Sequence, residues 1–188
     1  GSNRRSLDYK IKTMIRDGVL VPLKSGFYLN NTLYKKISTP QDLVAYAGNM
    51  MVSPSYISLE YALSLYGILA ESVFTFTYIT TKKTRVFRSG QFSFSYKNIK
   101  PGLFLGFIPQ KYQNFTYYLA TPAKAVFDFV YLSSLGKGKT IREFLFDSRF
   151  NWSVLTKKDK VEFKEIVRKS KSTKLKIVEK SLLEKGVL

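Results

Sequence analysis

The sequence predicts an α+β protein: a helix and hairpin, then a small mixed or antiparallel sheet packed with helices, then a helical C-terminus. Three observations predict this class. Apolar residues recur at helical spacing near both ends, two central segments alternate with period two, and Thr-Pro pairs mark helix starts. The 188 residues, 45% hydrophobic and 15% aromatic, suffice for one domain with a small appendage.

The first predicted elements are a helix over residues 3–17 and a hairpin. Gly18 is a suitable residue just past the helix end. The segments VLVPL and GFYL flank a turn that contains Gly26, which predicts a short hairpin. The apolar face of the helix consists of Leu7, Ile11, Met14 and Ile15.

The stretch at 56–69, YISLEYALSLYGIL, contains a single charge, Glu60. Its apolar residues fall on every side of a helical wheel, so it predicts a helix over 57–66 buried nearly all round. We therefore expect this helix to be the centre of the core, with both Leu63 and Leu65 inside. A preceding helix begins at Thr39-Pro40 and ends before Pro54.

Two segments alternate as half-buried strands do. In 73–80, Phe74, Phe76 and Tyr78 share one side, and Phe92, Phe94 and Tyr96 do the same in the second segment. Residues 103–108 and 114–119 are less regular strand candidates. We expect four or five strands with their aromatic side against the central helix, and a basic turn at TKKTRVFR.

The remaining chain predicts four helices. One covers 122–134 after a Thr-Pro pair, and a short one reaches about residue 147 after a capping pair at Thr140. Thr156 and Asp159 predict the start of a helix over 157–169. The last helix covers 173–185, with Leu175, Val178 and Leu182 facing inward.

The charge is large and unevenly distributed. The net charge is +18, and residues 81–120 contain seven Lys or Arg and no acid, whereas residues 41–80 contain no Lys or Arg. This segregation predicts a basic face for an acidic partner such as nucleic acid, anionic lipid or an acidic protein; a merely solvated surface is the alternative. The candidate residues on turns are Lys82, Lys83, Arg85, Arg88, Lys97 and Lys100. Interleaved aromatics could stack on bases, although strand alternation favours a core role for them.

The residue types in the sequence give little support for a catalytic site or a metal site. The absence of His and Cys removes the common triads, dyads and zinc ligand sets, and the acids show no close cluster for Mg²⁺. LGKGKT at 135–140 lacks the first glycine and preceding strand of a P-loop, so we interpret it as a basic turn. We expect no cofactor, no metal and no enzyme activity. No apolar run reaches about 18 residues, so no membrane partner is expected.

Two acids lie inside apolar helices. Asp128 follows Lys124 by four residues, which places both on one helix face. We interpret Glu60, Lys124 and Asp128 as structural. For the two acids, the functional alternative is a buried, partnered carboxylate that holds a site together, and the structural alternative is an acid at a helix edge that reaches a lysine or a backbone amide.

The order of these motifs resembles the AbiEi-type antitoxins of type IV toxin–antitoxin systems. The similar features are a "YISL..AL...G" helix at 56–67, the following sheet, and "A.P.KA..D..Y" at 120–131; the likeness covers roughly residues 7–185. It implies an antitoxin domain over 38–188, preceded at 3–37 by part of a winged helix-turn-helix, which normally has one or two more helices before this one. The alternative is that residues 3–30 are only a helix and hairpin packed on the main domain.

The resemblance implies a function. Such a protein is a cytoplasmic antitoxin that counters a nucleotidyltransferase toxin and represses its own operon. Operator DNA would then contact the helix and the wing hairpin. The candidate DNA-binding residues are Arg5, Lys12, Arg16 and Lys24, and the basic residues of 82–100 would face the toxin or nucleic acid. A basic RNA-binding module and an enzyme with an unrecognised site are the alternatives.

Overall fold

A six-stranded mixed sheet lies at the centre of the structure, a computed structural model that describes residues 2–133, 141–146 and 149–188. The described part is α+β with a helical C-terminus, as predicted. The helices are α1 (Ser2–Arg16), α2 (Asn31–Lys36), α3 (Pro40–Met51), α4 (Leu59–Leu65), α5 (Pro122–Leu132), α6 (Ile141–Leu145), α7 (Lys157–Ser170) and α8 (Thr173–Glu184). The strands are β1 (Leu20–Lys24), β2 (Phe27–Asn30), β3 (Ser55–Ile57), β4 (Thr75–Thr80), β5 (Arg85–Ser89), β6 (Phe92–Asn98), β7 (Phe107–Tyr112) and β8 (Phe115–Ala120).

The strand order of the large sheet is β5-β6-β4-β3-β8-β7. The pairs β4–β6 and β3–β8 are parallel, and the other neighbours are antiparallel. Two of these strands were not predicted. β3 has three residues, too few for a periodic pattern, and β5 lies within the segment that we expected to be a basic turn.

Helix α3 covers one face of the sheet, and two tyrosine hydroxyls from the strands donate hydrogen bonds to its backbone. Tyr78 donates to the carbonyl of Ala45 at 3.0 Å, and Tyr96 donates to the carbonyl of Gly48 at 2.6 Å. Gly48 is required at this crossing because a Cβ there would collide with the fully buried Tyr78 ring. Tyr78 and Tyr96 therefore pack on α3, whereas Phe76 meets Tyr61 of α4 at 4.5 Å between ring centroids. The helix predicted to be central thus shares the aromatic strand face with α3.

Helix α5, on the opposite face of the sheet, has the burial that we expected of α4. Seven of its eleven residues are buried, including Lys124, Phe127 and Asp128. In α4, Leu59, Tyr61, Ala62 and Leu63 are buried, but Leu65 is 56% exposed. The prediction that the 57–66 helix is buried nearly all round was wrong: α4 is short and one-sided.

The aromatic alternation is confirmed in β6 and only partly in β4. Phe92, Phe94 and Tyr96 are buried, as are Phe76 and Tyr78. Phe74, predicted on the same side, is 84% exposed because it precedes the strand, which begins at Thr75.

The helix-start signals had mixed outcomes. Thr121 accepts a hydrogen bond from the Lys124 amide, and Thr156 and Asp159 form a reciprocal capping box. Thr39 precedes Pro40 of α3 but makes no side-chain capping bond. Thr140 and the predicted basic turn at 135–140 lie outside the described residues. Helix α2, capped by the Asn30 side chain, was not predicted.

The N-terminal helix and hairpin form as expected. Gly18 and Gly26 have φ angles of +71° and +74°, which suits the helix end and the hairpin turn. The hairpin packs on the rest of the molecule, since Leu23 and Leu29 are buried in the same hydrophobic cluster as the central sheet. The apolar face of α1 is only partly covered, with Leu7 56% exposed.

Candidate functional site

The basic residues of 82–100 lie on a β-hairpin and its flanks, and not all on turns as predicted. Arg85 and Arg88 belong to β5, and Lys97 belongs to β6. All six side chains are exposed, and none forms an ion pair with another residue in the described ranges. These charges are therefore available to an anionic partner. We call the set of Lys82, Lys83, Arg85, Arg88, Lys97 and Lys100 the basic hairpin.

Strand register places two of these cations on the same face of the sheet. Arg88 pairs with Ser93 and Lys97 pairs with Ile79, so both cations lie on the sheet face turned away from α3. Val86, which pairs with Ser95 on that same face, is 51% exposed. An open sheet surface of cations and serine hydroxyls offers donors suited to phosphate oxygens.

The aromatic residues among these cations belong to the core. Phe92, Phe94 and Tyr96 are at most 6% exposed, and the half-buried Phe87 meets Tyr96 edge-on at 5.9 Å between ring centroids. None of the three buried rings can stack on a base without opening the sheet. The open face therefore offers charge and hydroxyls rather than aromatic platforms.

The predicted DNA-binding residues of α1 are exposed. Arg5 and Lys12 form no ion pair with other described residues. Arg16 lies 3.1 Å from the carboxylate of Asp17, and both side chains are largely exposed. Three cations on one exposed helix leave it able to contact phosphates.

Lys24 is not available in the way that we predicted. Its ammonium donates to the carbonyl of Met51 at the end of α3 and lies 4.9 Å from the Phe27 ring centroid and 5.9 Å from that of Phe87. The side chain anchors the hairpin to α3 and β5. We therefore remove Lys24 from the proposed DNA contacts.

The conspicuous buried polar site is the pair Lys124 and Asp128 on α5. The ammonium is 2.7 Å from Asp128 Oδ1, and both side chains are fully buried. Asp128 Oδ2 accepts hydrogen bonds from the hydroxyls of Tyr56 at 3.0 Å and Ser58 at 2.8 Å. Lys124 also donates to the carbonyl of Leu103 at 2.8 Å. The spacing predicted the pair, and its partners join α5 to β3 and to the segment before β7.

Burial dominates the electrostatics of this pair. It lowers the pKa of the Lys124 ammonium and raises the pKa of the Asp128 carboxyl, and in both cases the partner's charge opposes the shift. Burial, followed by the Asp128 charge, also raises the pKa of the Tyr56 hydroxyl. Asp128 accepts three hydrogen bonds, so its carboxylate is satisfied without water or a ligand, as expected of a structural connection.

Gly106 permits this arrangement. A Cβ at Gly106 would lie 3.1 Å from the Lys124 side chain, and its φ of +75° is one that L residues rarely adopt. The sequence analysis did not predict that Tyr56 and Ser58 donate hydrogen bonds to Asp128, or that Gly106 makes room for Lys124. A Tyr-x-Ser pair places both side chains on one strand face, but the local pattern does not indicate what that face meets.

Glu60 does not form the partnered carboxylate that we considered. It is half-buried in the first turn of α4, and within the described ranges its side chain forms no hydrogen bond or ion pair. The helix-edge alternative fits its position, because an acid in the first turn is favoured by the helix dipole.

No family model, curated protein or solved structure matches the chain. Over the described residues, no group of three or more Asp or Glu side chains is placed to hold a metal ion. None of the described helices combines the length and apolar character needed to span a bilayer.

Proposed function

We propose that the protein is the antitoxin of a type IV toxin–antitoxin pair, one that counters a nucleotidyltransferase toxin and represses its own operon. The motif order that resembles AbiEi-type antitoxins supports this proposal. The single structural observation behind it is the basic hairpin: six exposed cations without ion-pair partners in the described chain. The proposed role places the protein in the cytoplasm, and a chain without cysteine suits that reducing compartment.

In this proposal, two surfaces bind different partners. Arg5, Lys12 and Arg16 on α1 contact operator phosphates, and the basic hairpin neutralises the toxin, by contact with the toxin or with a nucleic acid that it uses. The buried Lys124–Asp128 pair, which lies in the motif of the resemblance, holds the sheet that presents the hairpin.

The test replaces Arg85, Arg88, Lys97 and Lys100 together with glutamine. Four exposed charges disappear while the core stays intact, so we expect an unchanged thermal midpoint and lost rescue of growth from the co-expressed nucleotidyltransferase of the neighbouring gene. The matched control replaces four exposed C-terminal lysines, Lys157, Lys158, Lys169 and Lys180, with glutamine. It has the same net charge and should rescue growth.

Equal rescue by the two variants would contradict the role of the basic hairpin. No rescue by the native sequence would contradict the antitoxin role itself. Operator binding is measured separately: replacing Arg5, Lys12 and Arg16 should reduce the dependence of log K on log salt by roughly 0.9 for each lost phosphate contact. An unchanged slope would place DNA binding elsewhere.

A further inference from the structure

A pocket of about 370 Å³ opens between α2, α3, α4 and the first residues of β4 and β6. Its floor is aromatic: Tyr61 and Phe76 have ring centroids 4.5 Å apart, and Phe92 lies beside them with 6% exposure. Phe74, 84% exposed, lies at its edge. The volume is within the usual range for small-molecule sites, roughly 300–1,000 Å³.

Polar groups without partners surround this floor. The side-chain amides of Gln41 and Gln91 and the hydroxyls of Tyr34 and Tyr61 form no hydrogen bonds with residues that the structure describes. Tyr61 is only 7% exposed, and burial, followed by the charge of Asp42, raises its pKa to about 12, so this hydroxyl stays protonated. The hydroxyl oxygen itself remains accessible to solvent, so a ligand in the pocket can pair with it.

The side chains that line the pocket indicate the chemical class of its ligand. It contains no charged side chain, so the pocket suits a neutral group rather than a phosphate or carboxylate. The exposed ring of Phe74 can stack on a flat ring, and glutamine amides pair with the donors and acceptors on the edge of a nucleobase. A phenylalanine side chain from another protein would leave the amides and hydroxyls unpaired.

The surroundings suit a nucleic-acid strand. Lys35 and Lys36 follow Tyr34 on α2 and are exposed, and Gln91 lies in the turn of the basic hairpin. A base inside a duplex is stacked and cannot enter such a pocket, whereas single strands offer unstacked bases.

We propose that this pocket binds one unstacked base of a single-stranded nucleic acid, stacked on the exposed ring of Phe74 at the pocket mouth and held at the edge of the base by Gln41, Gln91 and Tyr61. Lys35 and Lys36 on α2 hold phosphates near that base, and the basic hairpin holds phosphates farther along the strand. This site does not depend on the antitoxin role.

The test compares two fluorescein-labelled twelve-nucleotide single strands, one of mixed adenosine and uridine and one with every base absent. Both carry the same phosphates. We expect the native protein to bind the base-bearing strand more tightly. Phe74→Ala should raise the Kd for that strand about five- to 150-fold, the range for one lost base stack, and leave the abasic strand unaffected.

Two further measurements separate stacking from charge and from folding. Phe74→Ala removes no charge, so the salt dependence of binding should stay constant, whereas the glutamine variant of the basic hairpin should lower it. Phe115→Ala is the matched control, because Phe115 is also exposed but lies on β8, three strands away from β6 and its part of the pocket. Tyr61→Phe, which retains the ring, should also weaken binding of the base-bearing strand.

The proposal is overturned if the native protein binds the two strands equally or binds neither. It is also overturned if Phe74→Ala behaves as Phe115→Ala does, with thermal midpoints unchanged. Displacement of the strand by phenylalanine-bearing peptides, but not by free adenosine or uridine, would identify a protein-docking pocket instead.

Discussion

At the residue scale, the buried pair Lys124 and Asp128 connects three parts of the fold, and each member depends on the other. Without its partner, either charge would stay buried without compensation. We expect Lys124→Met to lower the free energy of unfolding by about 3–5 kcal/mol, measured by urea denaturation. Asp128→Asn should cost a similar amount, because the ammonium then retains only the Leu103 carbonyl as a strong acceptor.

The double variant separates a mutual interaction from two independent losses. Lys124→Met with Asp128→Asn leaves no buried charge, and the asparagine oxygen still accepts from Tyr56 or Ser58. Its cost should therefore be at least about 1 kcal/mol below the sum of the single costs, within the range known for residues in contact. Strict additivity would mean that the two side chains stabilise the fold independently.

At the element scale, α4 shows how far a hydrophobic pattern can mislead. Seven residues make only two turns, and the side that holds Leu65 faces solvent. Leu63, 1% exposed, is inside the core. The two leucines lie on one helix and differ only in burial.

This pair gives a direct test of the position of α4. Leu63→Ala should reduce the free energy of unfolding by about 2–5 kcal/mol, from lost transfer energy and a cavity. Leu65→Ala, its control, should change it by no more than about 0.5 kcal/mol, as exposed positions do. Comparable costs in thermal or urea unfolding would show that α4 is packed differently.

The basic segment at 81–100 gives a second lesson at this scale. Its charges favoured a turn, yet β5 begins at Arg85 and pairs with β6 over five residues. As an edge strand, β5 can expose Arg88 and Val86 while Phe87 packs inward. Charge on an edge strand also opposes unwanted strand pairing, so a basic strand is physically reasonable.

At the scale of the whole molecule, the core is unusual in holding many tyrosine hydroxyls. Burial is the largest cause of the raised pKa at Tyr56, Tyr61, Tyr66, Tyr78, Tyr96 and Tyr117. Tyr61 and Tyr66 each reach about 12, against an ordinary value of 10.0. The folded protein therefore keeps these protons at a pH where the unfolded chain releases them.

These raised pKa values determine how the stability of the fold changes at alkaline pH. A pKa raised in the folded state gives stability that is complete below pH 10 and lost as the pH rises from about 10 through 12. We expect the urea midpoint to fall across that window. We also expect the ultraviolet absorbance of tyrosinate to rise in two stages, because the buried tyrosines ionise only when the protein unfolds. A single transition near pH 10 with an unchanged urea midpoint would contradict this.

Local chemistry in the sequence determined much of the secondary structure. Helical spacing located α1, α3, α5 and α8, because an element with one buried face repeats its apolar residues at its own period. Helix α7 was located by its capping pair. The cap at Thr121 and the capping box at Thr156 need only residues within one turn. The spacing of Lys124 and Asp128 likewise predicted their pairing.

Only the tertiary structure decided which helix is central, which strands are parallel, and what each buried polar group meets. Both α4 and α5 are apolar, and burial depends on neighbours far along the chain that no local pattern contains. β3 pairs with β4 and with β8, some 60 residues away, and Tyr56 and Ser58 reach Asp128 only because of that pairing. Lys24 and the pocket beside Phe74 were beyond prediction for the same reason: their surroundings come from separate segments that only the folded chain brings together.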